Sequence, residues 1–385
     1  MRLHLDVALC VRATSKFSEC TKCVDATNGI VQIKEQLPTF AKGTGVEAAA
    51  CIGACPTEAF SLSDFSATEF FFTFLESKVR LISRKINVPC LSVLSVEHLV
   101  SLVLASDSPV TLDLNDYEQG THLFNLISSR IEEANFVLSS FSDKVLLVNT
   151  EERVEASNEL NASKKDSDSN DEEVSERRNF LRNTASLKGI IKQKQEFDVA
   201  VEAEELHQFE IDASMTQKIK DKHLPDKRKI LFTTLKYTPK PRQYEVLAQE
   251  DVSFVSQKFV DESCTNCQIC YRICPTGALS SNTRFSLIHF DAMLCVKCHL
   301  CHDVCELGSI QLQPGFETRE FFEPTQRTLA TFNIKRCNEC GNPFTYTGGE
   351  QTCPRCMIEE EEAMFLHSNA LSMKALFDDK KDDNK

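Results

Sequence analysis

The chain has 385 residues, of which 42% are hydrophobic, and this composition predicts two or three domains with buried cores. Its formal net charge of −14 argues against nucleic acid as the main partner, because binding to phosphate needs a basic surface. No apolar run is long enough to span a membrane, and the first residues show no secretory pattern. Eighteen cysteines, many in C-x2-C pairs, therefore predict metal sites in a reducing, cytoplasmic compartment.

The first part of the chain, residues 1–65, is rich in cysteine and is expected to be mostly loop. A capping-box sequence begins at Ser66 and has Glu69 three residues later, which predicts the start of a helix. We expect this helix to carry Phe70, Phe74 and Leu81 on its buried face.

Residues 66–150 are predicted to form a small α/β domain. Three short apolar runs, at 88–94, 110–114 and 145–148, predict strands, and helix-like stretches follow the first two. Ser95 is placed to cap the first of these two helices. The alternation of strand and helix predicts a small parallel sheet covered by helices.

The middle of the chain is strongly charged. Residues 151–176 are polar and acidic and predict a disordered linker, because they cannot bury enough apolar surface to become ordered. Residues 177–254 predict a charged helical connector, with basic patches at 218–222 and 227–229.

Residues 255–316 contain two copies of the spacing C-x2-C-x2-C-x3-C, and two tandem copies are very unlikely to arise by chance. The first copy is Cys264, Cys267, Cys270 and Cys274, and the second is Cys295, Cys298, Cys301 and Cys305. This spacing wraps a tight loop around a four-iron cluster, and its fourth cysteine ligates the other cluster of a pair. The segment therefore predicts two [4Fe–4S] clusters and a role in electron transfer.

This segment resembles the bacterial two-cluster, clostridial-type ferredoxins and the polyferredoxin family. By the crossed pattern of that family, one cluster is expected on Cys264, Cys267, Cys270 and Cys305, and the other on Cys295, Cys298, Cys301 and Cys274. Ile269, Ile273, Leu287 and Ile288 are expected to form a dry shell around the clusters. His299 and His302 lie in the second loop and are interpreted as bystanders rather than ligands.

The N-terminal residues 1–65 are similar to the same module after the loss of several ligands. Two cysteines of each motif remain, at 20 and 23 and at 51 and 55, while Thr27, Gly45 and Ala48 occupy positions where ligands belong. Cys10 is expected to replace the missing first ligand. The crossed pattern then leaves one complete set of four thiolates, which is Cys10, Cys20, Cys23 and Cys55.

The N-terminal segment is therefore expected to hold one [4Fe–4S] cluster, which makes three in the chain. Cys51 is left over, either as a packed free thiol or as an alternative ligand. The competing interpretation is that the N-terminal cysteines bind zinc or no metal.

Two further C-x2-C knuckles lie in residues 330–360. Their ligands are Cys337, Cys340, Cys353 and Cys356, separated by a hairpin-like segment with Gly348 and Gly349. Four thiolates at this spacing suit tetrahedral zinc in a structural or docking role. A single iron, as in rubredoxins, is the alternative. Residues 361–385 form an acidic tail.

These predictions combine into an α+β chain with ferredoxin-like two-cluster modules at both ends, a small α/β domain between them, and a C-terminal zinc-ribbon-like knuckle. We expect a cytoplasmic electron carrier that relays single electrons to or from a larger redox enzyme. We expect it to have no catalytic site of its own, because its nine histidines pair with no nucleophile or carboxylate in the sequence.

The overall design is similar to iron–sulfur proteins that accompany bacterial molybdenum enzymes, such as nitrate reductase and formate dehydrogenase. Two alternatives remain open. One is an assembly or maturation factor for such an enzyme, with the clusters and the zinc ribbon as a docking platform. The other is a redox or oxygen sensor.

Overall fold

A computed structural model describes residues 2–41, 46–150 and 222–382. The predicted acidic linker at 151–176 and most of the connector at 177–254 lie outside the described residues, as does Gly45. The architecture is of mixed α+β type, as the sequence predicts. No helix in the described ranges is long and apolar enough to cross a membrane.

The N-terminal unit consists of short elements arranged around the cysteine loops. They are β1 (Leu3–Leu5), α1 (Val11–Thr14), α2 (Lys22–Ala26), β2 (Gln32–Lys34), β3 (Leu37–Thr39), α3 (Ala50–Ala54) and β4 (Phe60–Leu62). The first and last strands pair antiparallel, with Leu5 opposite Phe60. Strands β2 and β3 form a hairpin between the two cysteine segments.

The α/β unit contains the predicted parallel sheet. Its elements are α4 (Ala67–Glu76), β5 (Leu81–Ile82), α5 (Val96–Ala105), β6 (Thr111–Asp113), α6 (His122–Ser139) and β7 (Leu147–Asn149). The strands lie in the order β5-β6-β7, and both pairs are parallel. The predicted caps are present: the hydroxyl of Ser66 accepts from the backbone N–H of Glu69, and that of Ser95 accepts from His98.

Two predictions in this unit are wrong. The first strand is not at 88–94, where residues 91–93 form a 3-10 turn, but at Leu81–Ile82. Leu81 is therefore not on the first helix, which ends at Glu76, where Ser77 caps it. The run at 88–94 is apolar because most of it is buried in the core, and an apolar run of this length does not distinguish a buried strand from other buried backbone.

Helix α7 (Asp226–Tyr237) lies against α5 and joins the middle of the molecule to the C-terminal unit. Its buried apolar side chains Ile230, Leu231 and Leu235 belong to a core that continues from the α/β unit into the residues around 254–321. The structure does not test whether residues 66–150 and 255–316 are separate domains. Residues of both segments belong to one continuous core.

The C-terminal unit repeats the element order of the N-terminal one. Its elements are β8 (Val246–Ala248), β9 (Lys258–Val260), α8 (Ile269–Ile273), β10 (Leu279–Ser280), β11 (Leu287–Asp291), α9 (Leu300–Asp303), β12 (Ile310–Leu312), β13 (Gly315–Glu317), α10 (Arg319–Phe322) and β14 (Gln326–Thr331). Strands β9 and β12 form the outer antiparallel pair, and β10 and β11 form the hairpin, which β14 extends. Strands β8 and β13 form a separate antiparallel ribbon.

The last unit begins with a hairpin of β15 (Ile334–Arg336) and β16 (Pro343–Thr345) and ends in the long helix α11 (Pro354–Asp382). The sequence predicts that a hairpin separates the two knuckles, and this prediction is wrong. The turn of the observed hairpin contains the first knuckle, whereas Gly348 and Gly349 lie in the loop that follows β16. The predicted acidic tail at 361–385 lies largely within helix α11.

Candidate iron–sulfur and zinc sites

The two cysteine loops of the C-terminal unit have the same backbone conformation. Asn266 and Gln268 have φ of 58° and 73°, and the equivalent residues Lys297 and His299 have φ of 48° and 63°. Left-handed backbone is costly for residues other than glycine and persists where the surroundings require it. In both loops it turns the chain around the second cysteine, and a short helix then begins one residue before the third.

The eight cysteines of these loops are described as two groups of four, each of which contains thiols close enough to interact electrostatically. We call Cys264, Cys267, Cys270 and Cys305 site 1, and Cys274, Cys295, Cys298 and Cys301 site 2. Burial and the nearby thiols of Cys274, Cys295 and Cys301 raise the pKa of Cys298 far above its ordinary value. In site 1, burial raises the pKa of Cys264, and the nearby Cys267 and Cys305 act in the same direction.

The two groups adjoin each other. Burial, followed by the nearby thiols of Cys301 and Cys267, raises the pKa of Cys270 to about 12. Most of these thiols are buried or half-buried, whereas Cys267 is exposed. Site 1 therefore has an edge that faces solvent.

The donor chemistry of both sites fits a [4Fe–4S] cluster. Each offers four sulfur ligands, and the loops add backbone N–H groups, with Asn266 donating to Cys264 and Leu300 donating to Cys298. Four thiolates repel one another unless a cationic group, such as the iron of a cluster, lies between them. Hydrogen bonds from the backbone to sulfur are also typical of cluster sites.

Some residues around sites 1 and 2 are less exposed to solvent than the sequence predicts, and one residue is more exposed. Ile288 is buried and Ile273 and Leu287 are half-buried, but Ile269 is 45% exposed, so its assignment to the dry shell is wrong. Ile269 is the first residue of a helix of five residues and lies on its outer side. Sequence reasoning missed Tyr271, which is buried next to Cys270 and stacks on Phe285.

The two histidines of the second loop make contacts other than metal ligation. The ring of His302 lies 2.6 Å from the ammonium group of Lys258 and 5.3 Å, between ring centroids, from His299. Burial and Lys258 lower the pKa of His302 to about 3, so this ring is neutral and accepts from the lysine.

Cys10, Cys20, Cys23 and Cys55, which we call the N-terminal site, also lie close together. Burial, followed by the nearby thiols of Cys20, Cys55 and Cys10, raises the pKa of Cys23 to about 12. Helix α2 begins one residue before Cys23, as α8 begins one residue before Cys270. The donor set is again four thiols, and it fits the same kind of cluster.

The turn that follows Cys55 resembles the turn that follows Cys274 in the first C-terminal loop, although the crossed pattern gives Cys55 the place of Cys305. The hydroxyl of Thr57 lies 3.7 Å from the sulfur of Cys55, and that of Thr276 lies 3.8 Å from Cys274. Glu58 has φ of 54° at the position that Gly277 occupies with φ of 75°. The backbone N–H of Ala59 donates to the sulfur of Cys55 at 3.3 Å.

The second set of ligands in this unit has been replaced by packing. Cys51 is fully buried, and its thiol donates to the carbonyl of Ala48 at 2.9 Å. Thr27 donates to the carbonyl of Cys23 at 2.8 Å and accepts from Val31 at 3.1 Å. Of the two interpretations of Cys51, these contacts favour the packed thiol.

Helix α3 packs directly on the α/β unit through Gly53. A Cβ atom at Gly53 would lie 2.4 Å from the guanidinium of Arg130 and 2.5 Å from the carbonyl of Ser92. Arg130 donates to the carbonyls of Ser92 and Leu94 at 2.6 and 3.0 Å. A larger residue at this position would separate the two units.

The knuckle cysteines form a compact tetrad. The sulfur atoms of Cys337, Cys340, Cys353 and Cys356 all lie within 4.8 Å of one another. Those of Cys340 and Cys353 are 3.7 Å apart, close to the edge of about 3.8 Å expected for a tetrahedron with Zn–S bonds of about 2.3 Å. The backbone N–H groups of Cys340 and Cys353 lower the pKa of Cys337 to about 6. The donor set fits one tetrahedral metal ion.

Comparison with known proteins gives one match. The sequence model of the 4Fe-4S binding domain family matches residues 258–280, which include β9, the first loop and its four cysteines. Neither a search of curated proteins nor a search of solved structures returned a match. Together with the cysteine groups, the match supports an iron–sulfur protein with an electron-transfer role.

Proposed function

We propose that this chain is a cytoplasmic polyferredoxin that relays single electrons to or from a larger redox enzyme. The observation that carries this proposal is the repeated loop conformation at sites 1 and 2, with its two left-handed residues around the second cysteine of each motif. The match to the 4Fe-4S binding domain family over residues 258–280 supports the same interpretation.

Each site would hold one [4Fe–4S] cluster, which supplies reversible one-electron chemistry when bound. The protein's own residues provide the sulfur ligands, exclude water and direct backbone N–H groups towards sulfur. Ile288 and Tyr271 exclude water, and the N–H groups of Asn266 and Leu300 stabilise the charge on Cys264 and Cys298. The exposed Cys267 marks the edge at which a redox partner, such as a molybdenum enzyme, would exchange electrons.

The zinc tetrad is proposed to be structural. Its hairpin is small and partly exposed, and a unit of this size gains much of its stability from the metal. The backbone N–H groups around Cys337 favour a thiolate there, which is the form that zinc requires.

An assembly or maturation factor for a redox enzyme is the second candidate, and α11 is the observation that favours it. Met364, Phe365 and Leu366 on this helix are 57%, 67% and 66% exposed. Adjacent exposed apolar side chains suit a docking surface for a client protein.

The test is anaerobic purification of the full chain, followed by metal analysis and EPR during reduction by dithionite with methyl viologen as mediator. We expect about twelve irons, from three clusters of four, together with about one zinc. Reversible reduction of all clusters supports the electron carrier. Colourless protein without iron, or with no EPR signal after reduction, would overturn the proposal.

A further inference from the structure

The N-terminal unit contacts the loop of site 2 directly. The backbone N–H of Glu19 donates to the carboxylate of Asp303 at 3.0 Å. Val11, Leu300 and Val304 form a small buried cluster. Against this cluster pack Cys20 of the N-terminal site and Cys298 of site 2, each half-buried. One apolar contact therefore includes a ligand of each site.

Helix α7 holds the same two sites from another direction. Lys227 donates to the carbonyl of Cys55 at 2.5 Å, and the next residue, Arg228, donates to the carbonyl of Cys295 at 2.9 Å. Both cations pair with the carboxylate of Glu97, at 3.6 and 2.6 Å. All three side chains are nearly inaccessible to solvent, at 4% exposure or less.

This arrangement fixes one site against the other. Separating the two units would leave these buried charges without their partners, which is unfavourable. We call Lys227, Arg228 and Glu97 the α7 clamp.

We propose that the three cluster sites form one electron path in the order N-terminal site, site 2, site 1. The inference rests on the proposed function, since it requires clusters at all three sites. Sites 2 and 1 adjoin through Cys270 and Cys301 and share the crossed ligand pattern, and the contacts of Cys20 and Cys298 continue the path to the N-terminal site. With a [4Fe–4S] cluster at each site, a transfer would oxidise one cluster by one electron and reduce its neighbour by one. A one-electron donor such as reduced methyl viologen supplies the electron.

Magnetic interaction between reduced clusters tests this order, because dipolar coupling falls steeply with distance. In Cys267→Ala, which lacks a ligand of site 1, the N-terminal site and site 2 keep their clusters. EPR of the fully reduced variant is expected to show broadened, interacting signals. The matched control is Cys23→Ala, which lacks a ligand of the N-terminal site and keeps the adjoining sites 1 and 2 as the reference pair expected to interact.

Two simple, non-interacting signals in Cys267→Ala would overturn the inference. Iron analysis separates this result from failure of the proposed function: about eight irons per chain with uncoupled signals contradicts the path alone, whereas protein without iron contradicts the function. Cys305→Ala removes a different ligand of site 1 and repeats the test. The unaltered chain gives an independent reading, since one narrow, slowly relaxing signal among the three would also contradict the path.

Discussion

Two cysteines four residues apart in the N-terminal unit have opposite surroundings. The sulfur of Cys55 accepts from the backbone N–H of Ala59 at 3.3 Å, as the sulfur of a ligand does. The thiol of Cys51 donates to the carbonyl of Ala48, and burial raises its pKa. Burial raises the pKa of ligand cysteines such as Cys23 as well, so the distinguishing feature of Cys51 is the donated hydrogen bond, which requires the protonated thiol that does not bind metal.

Cys55→Ala is therefore expected to lower the iron content from about twelve to about eight per chain, because one four-iron cluster loses a ligand. Cys51→Ala, the matched control, should leave the iron content unchanged. Metal analysis of both variants after anaerobic purification makes the measurement. Equal loss of iron in the two variants would show that Cys51 is a ligand.

His98 makes the stability of the α/β unit depend on pH. Its ring is buried, Nδ1 accepts from the backbone N–H of Ser95, and Nε2 has no hydrogen-bond partner. Burial, followed by the charge of Lys227, lowers the pKa of His98 to about 4, although Glu97 opposes the shift. The unfolded chain, with an ordinary histidine pKa of about 6.5, binds the proton more readily, so stability falls as pH falls from about 6.5 to about 4.

When the pH falls from 7 to 5, the unfolding free energy of the unaltered chain should fall by about 2 kcal/mol more than that of the His98→Gln variant. Glutamine can keep the reciprocal hydrogen bonds of the capping box, so the helix start is retained. Urea unfolding under anaerobic conditions at both pH values gives the comparison. Parallel losses in the two proteins would show that another group is responsible.

The α7 clamp is a property of packed elements. Arg228 is fully buried and donates to Glu97 and to the carbonyls of Phe254, Met293 and Cys295. It thereby joins helices α5 and α7 to residues 293–295, at the start of the second cysteine loop. Removing Arg228 leaves the buried carboxylate of Glu97 with only the more distant ammonium group of Lys227, at 3.6 Å.

Arg228→Met should lower the unfolding free energy by about 3–5 kcal/mol, whereas the double variant Glu97→Gln with Arg228→Met should recover part of that loss. Urea unfolding of the two single variants and the double variant measures the coupling. EPR of the reduced proteins adds a second reading, since a loosened clamp weakens the interaction between the N-terminal site and site 2 while leaving the iron content unchanged. A loss in the double variant equal to the sum of the single losses would show that the pair is not coupled.

Local rules predict local elements well in this chain. Ser66 and Ser95 cap α4 and α5 as the sequence predicts, because a cap depends only on residues three positions apart. The strand predicted at 88–94 is wrong because burial alone gives the same apolar pattern. The basic patch at 227–229 gives no sign that Lys227 and Arg228 are buried, because their partner Glu97 is distant in sequence.

At the scale of the whole molecule, the chain uses one topology twice and brings the two copies together. The motif of sites 1 and 2 is evident in the sequence because its ligands are close together, and the reduced N-terminal set follows from the same spacing. The packing of Cys20 and Cys298 against one apolar cluster has no local signal, since these residues lie 278 positions apart. Only the folded arrangement of α7, the α/β unit and both cysteine units places them together.

The unit that contains the four knuckle cysteines contacts the first loop of site 1. Asn266, in the first loop, donates to the carbonyl of Phe285 at 2.8 Å and to the hydroxyl of Thr345 on β16 at 3.0 Å. The knuckle hairpin thus lies against the loop that contains Cys264 and Cys267. Folding of so small a hairpin depends on its metal, so loss of zinc should remove this cover.

Cys340→Ala is therefore expected to abolish zinc binding, leave about twelve irons, and raise the reduction potential of one cluster by on the order of tens of millivolts. The potential rises because water stabilises the additional negative charge of the reduced state, and only site 1 becomes wetter. EPR-monitored potential titration of this variant, with Phe365→Ala on α11 as the matched control, measures all three potentials. A uniform shift of all three reduction potentials, or no shift at all, would show that the knuckle hairpin does not shield site 1. A shift confined to one potential would show that the knuckle hairpin covers the exposed end of the electron path.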